Sequence, residues 1–251
     1  MRYIFLFFFL FFTLNAAENK KQKVTIGLGP YVQTQPYKGD TTPILVPSPV
    51  IFFDNSLFYI RWSRFGMYFL GKKEQDFAWG FSITAQPRTY GYKPNESKAL
   101  EGMDERKTTF EAGLAFSASL DDKYIETMLL TDMLDRYDSW IFKTEMGNTY
   151  HLGKFSFYPS LIVIYQSQKF LNYYYGVKES EQIAGIRPAY TPSDGVLIGA
   201  QTYINYPLTK KLSTLVNIRA DLIPQSAYSS PIVNDRFIYS GLLSLIYTFE
   251  Y

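Results

Sequence analysis

The chain has 251 residues, a net charge of +2, no cysteine and 18% aromatic residues. The absence of thiols excludes disulfides, thiolate metal sites and a cysteine nucleophile, and the near-balanced charge gives no footing for a nucleic-acid surface. Slightly negative mean hydropathy beside so many aromatics disfavours a helical membrane protein. It suits a barrel whose strands hide polar residues and show apolar ones.

In chain order, Arg2 and the apolar run from Tyr3 to Phe12 are followed by Thr13, Leu14, Asn15, Ala16 and Ala17. A basic start, a short apolar stretch and a small-residue end predict a secretory signal peptide over residues 1–17. The run is too short for the roughly 20 residues of a spanning helix. Residues 18–251 are then one domain of about 230 residues.

Twelve strands are predicted in it, at 22–34, 43–54, 56–63, 65–72, 76–91, 106–120, 122–134, 139–152, 154–168, 195–207, 211–223 and 236–251. Ten is the fallback, because the third and fourth are short. Period-two alternation carries the assignment. In the sixth, Phe110, Ala112, Leu114, Phe116, Ala118 and Leu120 share one face, opposite Thr109, Glu111, Gly113, Ala115, Ser117 and Ser119. In the last, Phe237, Tyr239, Leu243, Leu245, Tyr247, Phe249 and Tyr251 share a face. Tight turns at Asp54-Asn55, Lys72 to Gln75, Asp121-Asp122, Gly153-Lys154 and Thr209-Lys210 alternate with longer loops at 35–42, 92–105, 135–138, 169–194 and 224–235. The short Arg64-Phe65-Gly66 connection is the exception. This asymmetry predicts an all-β, antiparallel transmembrane barrel in a Gram-negative outer membrane, turns in the periplasm and loops outside. A soluble β-sandwich also alternates, but its solvent face would carry many lysines. Trp62, Trp79 and Trp140 are expected in the interfacial belts.

Three stretches point to a family. The first is VTIGLGPYVQTQPYKGDTTPILVPSPVIFF, with Pro36-Tyr37-Lys38-Gly39-Asp40. The second carries Tyr175-Gly176-Val177 and, downstream, Ala189-Tyr190. In the third, Ser230-Pro231-Ile232-Val233 precedes the closing strand. In order and spacing these resemble the MltA-interacting protein (MipA)/OmpV family over nearly the whole mature chain. Residues 92–150 carry the likeness only by pattern, and Leu212 stands where members often place a Trp. The resemblance implies an outer-membrane barrel. Its namesake implies a scaffold between a lytic transglycosylase and a penicillin-binding protein in murein metabolism; other members imply adhesive or antigenic roles.

No cofactor or metal is expected, since the single histidine, His151, lacks partner ligands. His151 and Ser156 sit at the turn end, the wrong depth for outer-leaflet lipid chemistry, so the chain is read as non-enzymatic. Inward-facing charges are expected at Arg61, Arg88, Glu111, Glu126, Asp132, Lys143, Glu145, Arg219 and Asp221. They could be a paired filling of a narrow lumen or a selective path for a small solute. Loop 169–194, with Phe170, Tyr173, Tyr174, Tyr175, Lys178, Glu179, Glu181 and Arg187, could be a binding surface, fold into the barrel mouth as a plug, or rest on the outer girdle. The expected partners are membrane lipid, the barrel-assembly machinery through Leu243, Leu245, Tyr247, Phe249 and Tyr251, and by resemblance a murein hydrolase and synthase. A narrow channel or a surface-loop binding protein is the alternative function.

Overall fold

The computed structural model describes residues 22–39, 41–88 and 91–251. The expected signal peptide lies outside them. The strands are β1 (Lys23–Gln33), β2 (Ile44–Asp54), β3 (Phe58–Arg61), β4 (Arg64–Lys73), β5 (Phe77–Arg88), β6 (Thr109–Leu120) and β7 (Lys123–Asp132). They continue with β8 (Trp140–Asn148), β9 (Tyr150–Leu152), β10 (Phe155–Gln166), β11 (Gly195–Pro207), β12 (Leu212–Leu222) and β13 (Phe237–Glu250). Each pairs antiparallel with its neighbours, and β13 closes on β1 with Leu28 opposite Leu245. β8 and β9 both pair with β10 and form one interrupted stave. The result is a closed barrel of twelve staves.

Closure is what an apolar-outside sheet needs in lipid, where an unpaired strand edge has no water to bond. The outward face is the predicted one. Leu28, Ile83, Leu114, Leu129, Phe142, Leu243 and Leu245 are all exposed, because their environment is hydrocarbon. Aromatic residues mark the rims: Trp140 stacks on Tyr165 and Phe237 on Tyr239 at the loop end, and Tyr247 packs beside Phe249 at the turn end.

The turns follow from local chemistry. Asn55 accepts hydrogen bonds from the backbone N–H groups of Leu57 and Phe58 while Ser56 takes φ +69°. Asp121 at φ +52° and Gly153 at φ +60° supply the left-handed residues that tight hairpins require.

The β3–β4 hairpin departs from expectation. It turns at Trp62-Ser63, not at Arg64-Phe65-Gly66, so Arg64 and Phe65 belong to β4. Trp62, at φ +60°, swings into the lumen and not into a lipid belt. There its ring lies 5.7 Å from Tyr31 and 6.3 Å from Tyr203, and its indole N–H donates to Ser48 Oγ at 2.9 Å. The positive φ reverses the chain one residue early and inverts the facing that simple alternation assigns.

Candidate functional site

The lumen encloses a cavity of about 1420 Å³. It runs from Asp54–Leu57, Lys72, Lys73 and Thr248 at the turn end up to Arg88, Asp221 and Ser240. Its arginines and Lys143 have carboxylate neighbours. Glu126 takes Arg61 at 2.6 Å and Arg64 at 2.5 Å, and Arg61 also donates to the Tyr68 hydroxyl at 2.6 Å. Both guanidiniums lie near the face of Tyr59, Arg61 at 4.5 Å from the ring centroid. Gly66 makes room for that ring, since a Cβ there would sit 2.5 Å from it.

A second cluster centres on Glu145. It receives Lys143 at 3.1 Å, Tyr124 at 2.9 Å, Ser160 at 3.1 Å and Gln201 at 2.8 Å. Arg219 binds both oxygens of Asp221. Near the loop end, Arg88 pairs with fully buried Glu111, which also accepts from Gln86 at 3.0 Å and Tyr137 at 2.8 Å. Asp132 faces inward too, but it serves the loop above it. It accepts the Thr109 hydroxyl and the backbone N–H groups of Leu134, Arg136, Tyr137 and Asp138, fixing residues 133–138.

Sequence reasoning misses Arg64, which falls in the expected Arg64-Phe65-Gly66 connection. The alternation of β4 carried the signal: with Phe65 and Met67 outward, Arg64 and Gly66 must point inward. It also missed the ion pairs of the lid described next, because loops have no period to read.

The long loops fold together over the mouth. Helix α1 (Gln168–Tyr175) starts at Ser167, whose hydroxyl accepts from the Phe170 N–H, and buries Phe170, Leu171, Tyr174 and Tyr175. Around them pack Tyr37, Tyr92, Leu100, Met103, Tyr137, Val177, Ile223, Ala227, Ile232 and Val233. Phe170 rests 5.0 Å from Tyr137 and 5.0 Å from the Arg88 guanidinium, so the lid sits directly on the uppermost lumen cluster. Arg106 binds both oxygens of Glu181 at 2.9 Å and donates to the Tyr173 carbonyl. Arg187 reaches the carbonyls of Glu181, Ala99 and Glu101, tying loop 169–194 to loop 92–105. Burial works against the Glu181 charge. The backbone N–H groups of Lys178 and Asp104, with Arg106, outweigh it and hold the carboxyl below the ordinary glutamate range. The aromatic loop thus folds into the barrel mouth as a plug, one of its three expected readings.

At the opposite end, His151 Nδ1 lies 2.9 Å from Ser156 Oγ, both on the exposed β9–β10 hairpin. Among the described residues no cluster of three or more metal-ligating side chains occurs.

A closed, even-staved barrel with an apolar outer belt and a polar lumen defines an outer-membrane β-barrel protein. The family model of the MltA-interacting protein MipA matches residues 26–249. The chain belongs to that family. Among its relatives, the putative outer membrane protein YiaT of Escherichia coli K12 is 25% identical, covering 86% of this chain and 88% of its own. The MltA-interacting protein of the same strain is 26% identical over 91% and 90%. The outer membrane protein OmpV of Vibrio cholerae is 28% identical over 57% and 55%. Among solved structures, an outer membrane channel from Pseudomonas putida F1 aligns with 93% of this chain and 97% of its own, at TM-score 0.46 and 9% identity. The chain is an outer-membrane protein, and its loop end is therefore extracellular and its turn end periplasmic.

Proposed function

We propose that this chain is a non-enzymatic outer-membrane barrel that works toward the periplasm, as a docking and positioning element for murein-processing machinery. One observation carries the reading: the extracellular mouth is plugged by a packed lid, whereas the cavity extends to the periplasmic turns. The accessible functional surface is then the periplasmic rim and the vestibule behind it. The name of the MltA-interacting relative supports a murein hydrolase as the partner class. Tight turns alone offer little of the roughly 800 Å² per partner of a stable interface. The concave vestibule adds area, so the partner should contribute a segment that enters it.

The same reading takes residues 1–17 as the export signal and the outward face of β13, Leu243, Leu245, Tyr247 and Phe249 with Tyr251 after it, as the segment engaged by the barrel-assembly machinery. The test uses the purified chain as bait in periplasmic extract. Retention of a murein hydrolase above that on an unrelated barrel supports the proposal, and retention weakened by Lys72→Glu/Lys73→Glu at the rim places the contact. Equal retention on both barrels sinks it.

A gated narrow channel is the second reading. The balanced, solvent-reaching charge pairs of the lumen favour it, since they offer a polar path of both signs. It requires a lid that opens.

A further inference from the structure

The β3–β4 hairpin stops short of the wall on both sides of it. β2 pairs with β1 along Ile44–Phe53 but with β3 only at Phe52, Phe53 and Asp54, plus the Trp62 N–H on the Ile51 carbonyl. On the far side, β4 meets β5 no higher than Phe65 opposite Ala85, while β5 runs on to Arg88. Among the described residues, no ladder joins β2 to β5 above the Trp62-Ser63 turn. The barrel wall therefore has a notch, bounded by Ile44–Val50 and by Gln86–Arg88.

The edges of this notch carry a specific chemistry. A strand residue presents its N–H and C=O to the same side, and alternate residues share that side. The Ile51 carbonyl faces β3, so Pro49 and Pro47 present their backbones to the gap. Phe110 accepts from the Met133 N–H on the far side of β6 and sits opposite Pro87. The Pro87 backbone thus also faces the gap. At all three positions proline removes the donor that an open edge would otherwise leave unpaired in lipid. With three donors gone, only the Leu45 N–H and the carbonyls still face the gap, and such edges template an added strand poorly. They suit an occupant that needs no hydrogen bond.

The level of the notch says what that is. Leu45 lies opposite Val32 and Pro49 opposite Leu28, and Val32, Leu28 and Leu45 are all exposed apolar residues of the lipid belt. Behind the gap, the lumen cavity is lined by Val46, Ser48, Trp62 and Pro87, so cavity and membrane meet there. We propose that the notch is a lateral portal in which the acyl chain of a bilayer phospholipid lodges, reaching the lumen beside Trp62. This stands apart from the periplasmic docking proposed above and can fail or hold without it.

Trp62 reports on the portal directly. The Trp79→Phe/Trp140→Phe variant leaves it as the single indole. In vesicles of phospholipid brominated along the acyl chain, Trp62 is expected to lose most of its emission, despite its lumenal position. Adding Val46→Phe, which fills the gap from the β2 side, should restore that emission. Equal emission in brominated and plain vesicles overturns the portal, as does quenching by brominated free fatty acid but not by the phospholipid. Should the double variant fail to insert, the unmodified chain in vesicles of a photoreactive-acyl phospholipid gives the same decision. Adducts on the lumen-lining Ser48, Trp62 and Ser63 support the portal, and adducts confined to the outer belt, Leu45 included, refute it.

Discussion

Glu181 is a nearly buried carboxylate held charged by Arg106 and two backbone N–H groups, and it joins two loops of the lid. Removing one partner of such a pair leaves the other charge stranded, at a cost of about 3–5 kcal/mol. Glu181→Ala or Arg106→Ala should therefore loosen the lid without unfolding the barrel, read as faster hydrogen exchange over 98–106 and 170–190. The pH dependence has a definite sign. The carboxyl titrates lower in the lid than in an unfolded chain, so its stabilisation is complete above the ordinary glutamate value of ~4.3 and is lost as pH falls through the lower folded value. Exchange protection of the lid, corrected for the intrinsic pH dependence of amide exchange, should fall on acidification in the native chain and respond less in Glu181→Gln. In the lumen, Gly66→Val would push the Tyr59 ring off its seat and with it the stack under Arg61 and Arg64. Overpacking of this kind costs about 1–3 kcal/mol, which should lower the heat-unfolding midpoint seen by gel mobility. On the lipid side, Leu245→Arg places a charge in the belt and should destabilise the barrel by roughly 2–4 kcal/mol if it lies at mid-depth. A variant that inserts and resists heat like the parent would show that Leu245 does not face the acyl chains.

Staves differ in how plainly they announce themselves. β6, β8 and β13 alternate along their whole length, so their faces were legible from side-chain chemistry alone. The β3–β4 hairpin was legible only as two short strands. Its turn position depends on one left-handed residue, Trp62, and an aromatic at positive φ is not a signal that alternation supplies. Arg64 was lost with it. Helix α1 is hidden for a different reason: its eight residues are too short a run to set a period, and its buried face is defined by partners from distant loops. That dependence gives an element-scale expectation. Phe170→Ala removes a side chain packed on Tyr137 and above Arg88, at a cost of about 3–5 kcal/mol. Limited proteolysis should then cut within 168–192 while the staves stay protected.

For the whole molecule, the lid and the cavity together set what crosses the membrane. With the mouth plugged, planar bilayers holding the native chain should show little or no steady current. Replacing 169–192 by a short turn should expose the cavity and produce a current whose ion preference changes on Arg219→Ala, because that guanidinium lines the path. A steady current through the native chain would instead mean that the packed lid is not the resting arrangement.

The lid also bears on how the barrel is made. Its core takes Tyr37 from the β1–β2 loop, Tyr92 and Leu100 from β5–β6, Tyr137 from β7–β8, Phe170 and Tyr174 from β10–β11, and Ile232 and Val233 from β12–β13. Every loop-end connection except the β3–β4 turn contributes, from the first hairpin to the last. The plug can consolidate only after the final hairpin has crossed the bilayer and β13 has zipped to β1. It is thus a late latch on biogenesis, and a chain stalled with its seam unzipped should be recognisable by a protease-sensitive cap above staves that have already formed.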